Sequence, residues 1–267
     1  MSVWRRACRT LLLALAAALV IPAAARADEG ADAAAIEALA LGIAAKTNAH
    51  VAEVLPRIDG TGGKLLALRS YLRSGAQLTE RWSWSQEQIA VYEGSAEQHE
   101  LNAEIQRVRA SFEQANPGFE LFVNPQVRSL DIQLASWNRN ESVAASSARL
   151  LQDAVTHLGT AATDAARGMA MLEAFLKSYS PEPIPTVAAP GLSPHGQMRA
   201  IDFQVHRGAE IVAGPDTHTI AAVWEQGGWA ARLDQAVRDA SRKFIGPLAA
   251  PQEPWHYTYT PVAVADQ

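Results

Sequence analysis

The sequence predicts an α+β protein in which a helical N-terminal lobe precedes a small mixed or antiparallel sheet. Residues 31–115 are Ala-rich and repeat apolar side chains at helical spacing. The composition shifts at Gly118, after which short segments have the apolar runs and alternation of strands. Helices first and strands later favour separate helical and sheet-bearing parts over alternating βαβ units.

The first 27 residues have the pattern of a cleaved export signal. Its basic start consists of Arg5, Arg6 and Arg9. An apolar run over residues 11–21 follows, and the small-x-small triplet at residues 25–27 predicts cleavage before Asp28. The run is shorter than the roughly 20 residues of a membrane span, although an uncleaved anchor is the alternative. We therefore expect a periplasmic or otherwise exported protein without a stable membrane span after cleavage.

Charge and cysteine content exclude several classes of function. The formal net charge of -5 at pH 7 provides no basic surface for nucleic acid. Cys8 is the only cysteine and lies in the predicted signal, so the mature chain has no disulfide, thiol nucleophile or thiolate ligand. Any metal ion must therefore be held by His, Asp or Glu side chains.

The helical N-terminal lobe is expected to cover residues 28–117. A first apolar pattern precedes a break near residues 56–63, and a second recurs at helical spacing over residues 65–72. A third helix is expected over about residues 97–114 and ends at the Pro-Gly pair that follows. The lobe is thus predicted to be built from amphipathic helices.

The second part is expected to cover residues 118–267 and to carry the sheet. Its Pro-rich segment over residues 180–191 predicts an extended loop between helices and strands. The other predicted elements are a strand over 119–123, helix over 129–178 interrupted at 138–142, strands over 199–206 and 210–212, a helix over 233–244 and a final strand over 255–260.

Three side chains of this part could converge on a metal ion. A catalytic zinc ion needs three protein ligands and one open position. His195 lies in a Pro/Gly loop, and His256 lies in the distant final strand. Strand alternation puts Asp202 on the face opposite its apolar neighbours, where a carboxylate is costly to bury without a cation. Each residue alone also fits a structural role, as a solvated or capping histidine, a backbone-satisfied aspartate or a core histidine.

Two residues next to the predicted third ligand have expected roles. Glu253 lies three residues before His256, where a carboxylate could accept a proton from water and pass it to a leaving amine. Trp255 points away from His256 in a strand and could wall the site, lowering its dielectric constant. Both expectations depend on a metal ion at the site.

The segments 193–202 and 253–256 resemble the motifs of the D-alanyl-D-alanine carboxypeptidase family of zinc peptidases. This family includes vancomycin-resistance dipeptidases and some phage endolysins and is related to hedgehog signalling domains. The family pattern is Ser-x-His, an Asp seven residues after that His, and later Glu-x-x-His, often as Glu-Pro-Trp-His. All of these stand here at the family spacing. The resemblance covers roughly residues 119–261, and the helical region 31–115 has no counterpart in the minimal family domain.

The resemblance implies one zinc ion per chain and a set of site residues. The zinc ligands are expected to be His195, Asp202 and His256. Glu253 is implied as the general base. The expected substrate-binding residues are Ser193, Gln133 and Trp255.

An arginine is implied more weakly, by a Ser-x-x-Arg-type context after an N-terminal strand with a Gln downstream. Arg128 follows the strand predicted over residues 119–123 and would stabilise the oxyanion of the tetrahedral intermediate, an effect of about 3 kcal/mol in comparable sites. The alternative is a surface arginine that begins a helix and pairs with Asp131. Arg139 and Arg149 are the other candidates for the catalytic role.

Met198 departs from the family pattern, and His206 is too far from the predicted ligands to be one of them. The family usually has a glycine three residues after the first ligand, where this chain has Met198. That glycine shapes the loop, so the departure concerns the loop backbone and not the ligands. His206 shares a strand face with Asp202 but lies roughly 13 Å along the strand, too far to bind the same ion.

The resemblance implies hydrolysis of peptidoglycan stem peptides, most simply at a terminal D-Ala-D-Ala bond. An endopeptidase acting on a cross-link or an L-to-D bond is the nearest alternative. A zinc-containing module that binds cell wall or a protein partner without catalysis is the other, and the helical lobe would then be the docking surface. The presence of Glu253 favours the enzyme, because a binding module has no need of a base beside the water.

Overall fold

The structure of the chain, a computed structural model, describes residues 23–261. Residues 1–22, which hold most of the predicted export signal, lie outside this range. Within the described range no helix is both long and apolar enough to cross a membrane.

Nine α-helices occur in the described residues, together with short helical turns. Most begin with a side-chain cap: Ser95 accepts a hydrogen bond from Gln98 N, and Asp164 accepts one from Arg167 N. The helices are α1 (Ala23–Thr47), α2 (Ala49–Val54), α3 (Thr61–Ser74), α4 (Gln86–Tyr92), α5 (Ala96–Ala115), α6 (Leu130–Arg139), α7 (Glu141–Leu158), α8 (Ala165–Ser178) and α9 (Trp229–Ala240).

The predicted interruption near residues 138–142 is confirmed, and its cause is a cap. Asn140 ends α6 and accepts hydrogen bonds from the backbone N–H groups of Ser142 and Val143, which begins α7 in a new direction. The helix predicted over 233–244 instead covers Trp229–Ala240. It ends early because Ser241 is extended and Phe244 belongs to a strand that the sequence did not predict.

The strands form an antiparallel sheet, consistent with the predicted α+β class. They are β1 (Glu120–Val123), β2 (Ala200–Arg207), β3 (Glu210–Ala213), β4 (Phe244–Ile245) and β5 (His256–Tyr259). The order is β1-β2-β5-β4, and β3 also pairs with β2. The strands predicted over residues 119–123, 199–206, 210–212 and 255–260 are therefore confirmed, with ends that differ by at most one residue.

The long strand β2 gives the sheet two different faces. Ile201, Phe203 and Val205 are fully buried and belong to the apolar core beneath the sheet. Asp202 points to the opposite face, as strand alternation predicts. Since Asp202 pairs in register with His256 on β5, their side chains lie side by side on that face.

Two apolar cores are present in residues 23–261, and they cross the predicted boundary at residue 117. One joins α1–α3 with α6–α8, so it draws on residues from both predicted parts. The other joins the sheet with α5 and α9, because α5 turns its apolar face toward the strands. The apolar face of α5 consists of Leu101, Ile105, Val108 and Phe112. The predicted division into 28–117 and 118–267 thus does not coincide with the division between the cores.

Candidate metal centre

Three elements bring the predicted ligands together. His195 lies on a 3₁₀ turn, Pro194–Gln197, at the end of the Pro-rich loop. Asp202 lies in β2 and His256 begins β5, and the backbone N–H of Phe203 donates to Trp255 O at 3.0 Å beside them. His195 and His256 are buried, and the side chain of Asp202 is 17% exposed. The structure therefore places all three side chains in one site.

The ligand atoms lie close together. His256 Nδ1 is 3.0 Å from Asp202 Oδ1 and 3.2 Å from His195 Nε2. His195 Nε2 is 3.4 Å from Asp202 Oδ2. A tetrahedral ion with bonds of about 2.0–2.1 Å separates its ligand atoms by roughly 3.3 Å. The spacing of the three side chains therefore fits one tetrahedral divalent ion.

The donor set also fits a cation on chemical grounds. Each neutral imidazole has one N–H and one lone pair, and an ionised carboxylate only accepts hydrogen bonds. Two imidazole nitrogens and a carboxylate that face one another present more lone pairs than protons. Because the group is buried, a bound cation would satisfy them all. The triad of His195, Asp202 and His256 could thus hold a metal ion.

The Asp202 carboxyl is held in its ionised form. Burial by itself raises its pKa, but the neighbouring imidazoles of His195 and His256 and the charge of Arg128 outweigh burial and hold the pKa well below its usual range. Burial lowers the pKa of His195, against the opposing effect of Asp202. An ionised aspartate and a neutral histidine are the forms that bind metal ions.

Glu253 lies beside the triad without belonging to it. Its Oε2 is 3.4 Å from His256 Nδ1, and its side chain is 14% exposed. Two backbone hydrogen bonds fix its position: Glu253 N donates to Leu248 O at 2.9 Å, and Glu253 O accepts from His256 N at 3.1 Å. Burial raises the pKa of Glu253, and the charge of Asp202 adds to this effect. A carboxyl whose pKa is raised is better matched to proton transfer near neutral pH.

Arg128 points at the triad. Its Nη2 donates to Asp202 Oδ2 at 2.9 Å, and its backbone N–H donates to His195 O at 3.2 Å. The alternative pairing of Arg128 with Asp131 is wrong, because Asp131 pairs with Arg57. Arg128 therefore orients a predicted ligand, while its guanidinium, with a side chain 41% exposed, lines the adjoining cavity.

Gln133 is buried, and its amide is fully used inside the protein. Its Nε2 donates to Ser83 Oγ at 2.8 Å and to Arg128 O at 2.7 Å. Its Oε1 accepts from Gly191 N at 2.9 Å and Ser193 N at 3.4 Å. An amide has two donors and two acceptor positions, so Gln133 has none left for a substrate. Gln133 also lies in the lining of the adjoining cavity, but its hydrogen bonds give it a structural role inside the protein.

A cavity of about 790 Å³ opens onto the triad. Ser193 and Trp255 line it, as their predicted roles require. Trp255 is itself buried and packs on Trp224, with ring centroids 5.7 Å apart, so it forms a rigid wall. The lining also includes residues of α6, the α6–α7 junction and the Pro-rich loop, among them Ile132, Ser136, Asn140, Thr186 and Val187. The helical part of the chain thus contributes to the lining of the cavity.

Met198, at the position where the resembling family usually has glycine, ends the 3₁₀ turn after His195 with a left-handed backbone. Its φ of 50° and ψ of 30° are left-handed, and it is the one non-glycine residue with positive φ in the described part of the chain. The position where the family has glycine does require a conformation that favours glycine. Met198 adopts it and buries its side chain in the core beneath the sheet.

The predicted residues Arg139 and Arg149 do not reach the triad. Arg139 Nε donates to Ala135 O within its own helix, and Arg149 lies near Glu182. Ser83 belongs to the surroundings of the site but was not predicted. No local pattern marks it, because its role depends on contacts with Gly191 and Gln133, which lie 108 and 50 positions away.

Comparison of the chain with models of known protein families, with curated proteins and with solved structures finds no match.

Proposed function

We propose that the chain is an exported zinc peptidase that hydrolyses peptidoglycan stem peptides, most simply as a D,D-carboxypeptidase. The observation that carries this proposal is the position of Glu253, a carboxyl with a raised pKa and a side chain only 14% exposed, next to a triad that fits a metal ion. A structural metal site is closed by four protein ligands, whereas a site with three protein ligands leaves the fourth position to water, and a protonatable side chain beside that position suits catalysis. The motif resemblance described above supplies the substrate class.

Zinc is the ion that best suits this donor set. Two imidazole nitrogens and one carboxylate are borderline ligands that zinc accepts in tetrahedral geometry, with the fourth position open in catalytic sites. When bound, zinc would act as a Lewis acid that polarises a peptide carbonyl and increases the acidity of water. His195, Asp202 and His256 would hold it, one ion per chain.

The protein side chains then have separate tasks. Glu253 takes a proton from the attacking water as the oxygen–carbon bond forms, and gives it to the amine nitrogen as the carbon–nitrogen bond breaks. Arg128 has five N–H donors, of which the hydrogen bond to Asp202 uses one. We assign Arg128 the stabilisation of the developing oxyanion. Trp255 and the cavity walls position the peptide.

The direct test uses purified protein and a cell-wall pentapeptide that ends in D-Ala-D-Ala. We expect release of D-alanine that stops when a chelator is added. Glu253→Gln should retain zinc but lower kcat/KM by at least about 100-fold, because it removes the base and keeps the shape. Glu210→Gln, an exposed residue on β3, is the matched control. Full activity of Glu253→Gln would contradict the mechanism.

A second measurement identifies the bond that is cut. Muropeptides digested with the protein and analysed by mass spectrometry lose one alanine if the protein is a carboxypeptidase. A cross-linked dimer that separates into monomers instead indicates the endopeptidase. Binding of zinc-loaded protein to sacculi without release of any fragment would favour the non-catalytic module.

A further inference from the structure

The loop that carries His195 is held by the helical part of the chain. Tyr71, on α3, donates from its buried hydroxyl to Pro190 O at 2.7 Å. At Gly191 an added Cβ would come within 2.7 Å of the Trp82 ring, so the loop lies directly on that ring. Trp82 in turn packs against His50, with ring centroids 5.1 Å apart. The start of the metal-binding loop thus rests on the helical core.

Residues 80–84, which we call the buttress segment, run along this loop. Ser83 donates to Gly191 O from its N–H at 2.8 Å and from its hydroxyl at 3.2 Å. The N–H of Trp84 donates to Gly196 O at 3.0 Å. Gln197 Nε2 donates back to the carbonyl oxygens of Glu80 and Trp82, at 2.8 and 2.7 Å. The buttress segment therefore fixes the loop on both sides of His195.

Gln133 joins the buttress segment to the other support of the site. Through its four hydrogen bonds it connects Ser83, the loop at Gly191 and Ser193, and the backbone of Arg128. Arg128 then reaches the site twice, through its backbone to His195 and through its side chain to Asp202. A single buried amide thus links the helical part with two of the three predicted ligands.

The loop packs tightly against Ser83 and Gln133 at Gly196. A Cβ added at Gly196 would lie 2.1 Å from Ser83 Oγ and 2.7 Å from Gln133 Nε2. Such distances are far below normal contact, so Gly196 allows the loop to approach these two polar side chains. A side chain at position 196 would therefore separate the loop from the buttress segment and Gln133.

We infer that Ser83 and Gln133 are positioning residues of the metal centre, and that the helical part of the chain is needed to place His195. The inference rests on the metal-binding part of the proposed function and not on peptide hydrolysis. Residues that orient metal ligands without touching the ion commonly change metal affinity by about 10–100-fold when mutated. The helical part would then be a component of the site, in addition to any role in docking a partner.

The test is a Co²⁺ titration of the full-length wild type, Gln133→Met and Ser83→Ala. Gln133→Met keeps the side-chain length and removes all four hydrogen bonds. We expect it to weaken Co²⁺ binding by about tenfold and to change the visible absorption of the bound ion, which reports ligand geometry. Ser83→Ala removes only a hydroxyl and should weaken binding by about fivefold. If Gln133→Met does not fold, the result for Ser83→Ala alone decides the test.

Ser70→Ala is the matched control, since the Ser70 hydroxyl donates to Leu66 O within α3. It should leave both affinity and spectrum unchanged, even if its melting temperature falls as much as that of Ser83→Ala. Wild-type affinity and spectrum in both Gln133→Met and Ser83→Ala, or in Ser83→Ala alone where Gln133→Met does not fold, would overturn the inference. Absence of Co²⁺ binding by the wild type would instead overturn the metal site itself, and with it the proposed function.

Discussion

The two sides of the triad are supported in different ways. Asp202 and His256 are directly paired residues on neighbouring antiparallel strands, so the sheet register alone sets their separation. His195 lies on a loop whose supports come from distant parts of the chain, such as Tyr71, which bonds to Pro190 119 residues away. One side of the site is therefore determined by local strand geometry and the other by tertiary packing.

This difference shows where the site is rigid and where it is adjustable. Moving His256 relative to Asp202 requires a shift of strand register, which would turn every side chain of a strand to the other face. Moving His195 requires only that loop contacts weaken. Mutations on the sheet side should thus remove the site, and mutations on the loop side should change its affinity.

The largest effect is expected on the sheet side. His256→Ala removes one of three ligands and should weaken zinc binding by more than about 100-fold, beyond the effect of losing a supporting residue. A zinc titration against a chromophoric chelator measures this. His206→Ala is the matched control, because His206 lies on the same strand face as Asp202 but four residues along β2. Equal losses in both variants would show that the sheet face as a whole, and not the triad, binds the ion.

Gly196→Ala tests the loop side with a larger disturbance than the loss of a hydroxyl. The new methyl group must displace the Ser83 side chain, and such overpacking costs about 1–3 kcal/mol of the free energy of unfolding. We expect this loss in urea denaturation together with weaker zinc binding. Gly63→Ala, a change in the first turn of α3 whose new Cβ would lie 3.3 Å from Ile58 Cγ2, should disturb the packing less than Gly196→Ala and leave zinc affinity unchanged. Unchanged zinc affinity in Gly196→Ala would mean that His195 does not depend on the buttress segment.

Two substitutions of Met198 test the backbone conformation of the loop that carries His195. Met198→Ala loses buried surface and should destabilise the protein by about 2–3 kcal/mol. Met198→Gly loses slightly more surface but relieves the left-handed conformation, so we expect it to be less destabilising than alanine by about 1 kcal/mol. Chemical denaturation of the two variants measures the order. A more stable alanine variant would contradict the left-handed turn after His195.

The smallest expected effect concerns stability and pH. Glu253 has a raised pKa in the folded protein, so its contribution to stability is present below its unfolded pKa of about 4.5 and is lost as the pH rises through the folded value. Glutamine does not ionise, so Glu253→Gln does not lose stability in this way as the pH rises. In metal-free protein it should raise the melting temperature at pH 7, and the difference should shrink toward pH 4. Glu210→Gln should leave the melting temperature unchanged at both values of pH. A Glu253→Gln variant that is less stable than the wild type at pH 7 would show that burial of the ionised Glu253 carboxylate does not destabilise the protein.

Much of the sheet side could be predicted from the sequence, because its rules are local. Apolar alternation around Asp202 predicted both the strand and the face of the carboxylate, and the structure confirms them. Helical periodicity likewise predicted α5 to within one residue at each end, whereas α3 begins at Thr61, inside the break predicted over residues 56–63. The supports of the loop could not be predicted this way. Gln133 was predicted to bind substrate from the family resemblance, and nothing near it in the chain indicates that its partners are Ser83 and Gly191.

The α5 helix shows the same limit for domain organisation. Its apolar periodicity predicted a helix, but periodicity does not tell which core the apolar face will join. The structure packs α5 on the sheet and returns α6–α8 to the N-terminal helices, so the cores interleave along the chain. This interleaving is what brings the buttress segment to the metal-binding loop.

The most direct measurement is anomalous diffraction at the zinc absorption edge from crystals of the zinc-loaded protein. We expect a single peak about 2.0–2.2 Å from His195 Nε2, His256 Nδ1 and a carboxylate oxygen of Asp202. Glu253 should lie beside the peak without binding it. No peak between these three side chains, or a peak bound by other residues, would contradict the metal centre on which the proposed function rests.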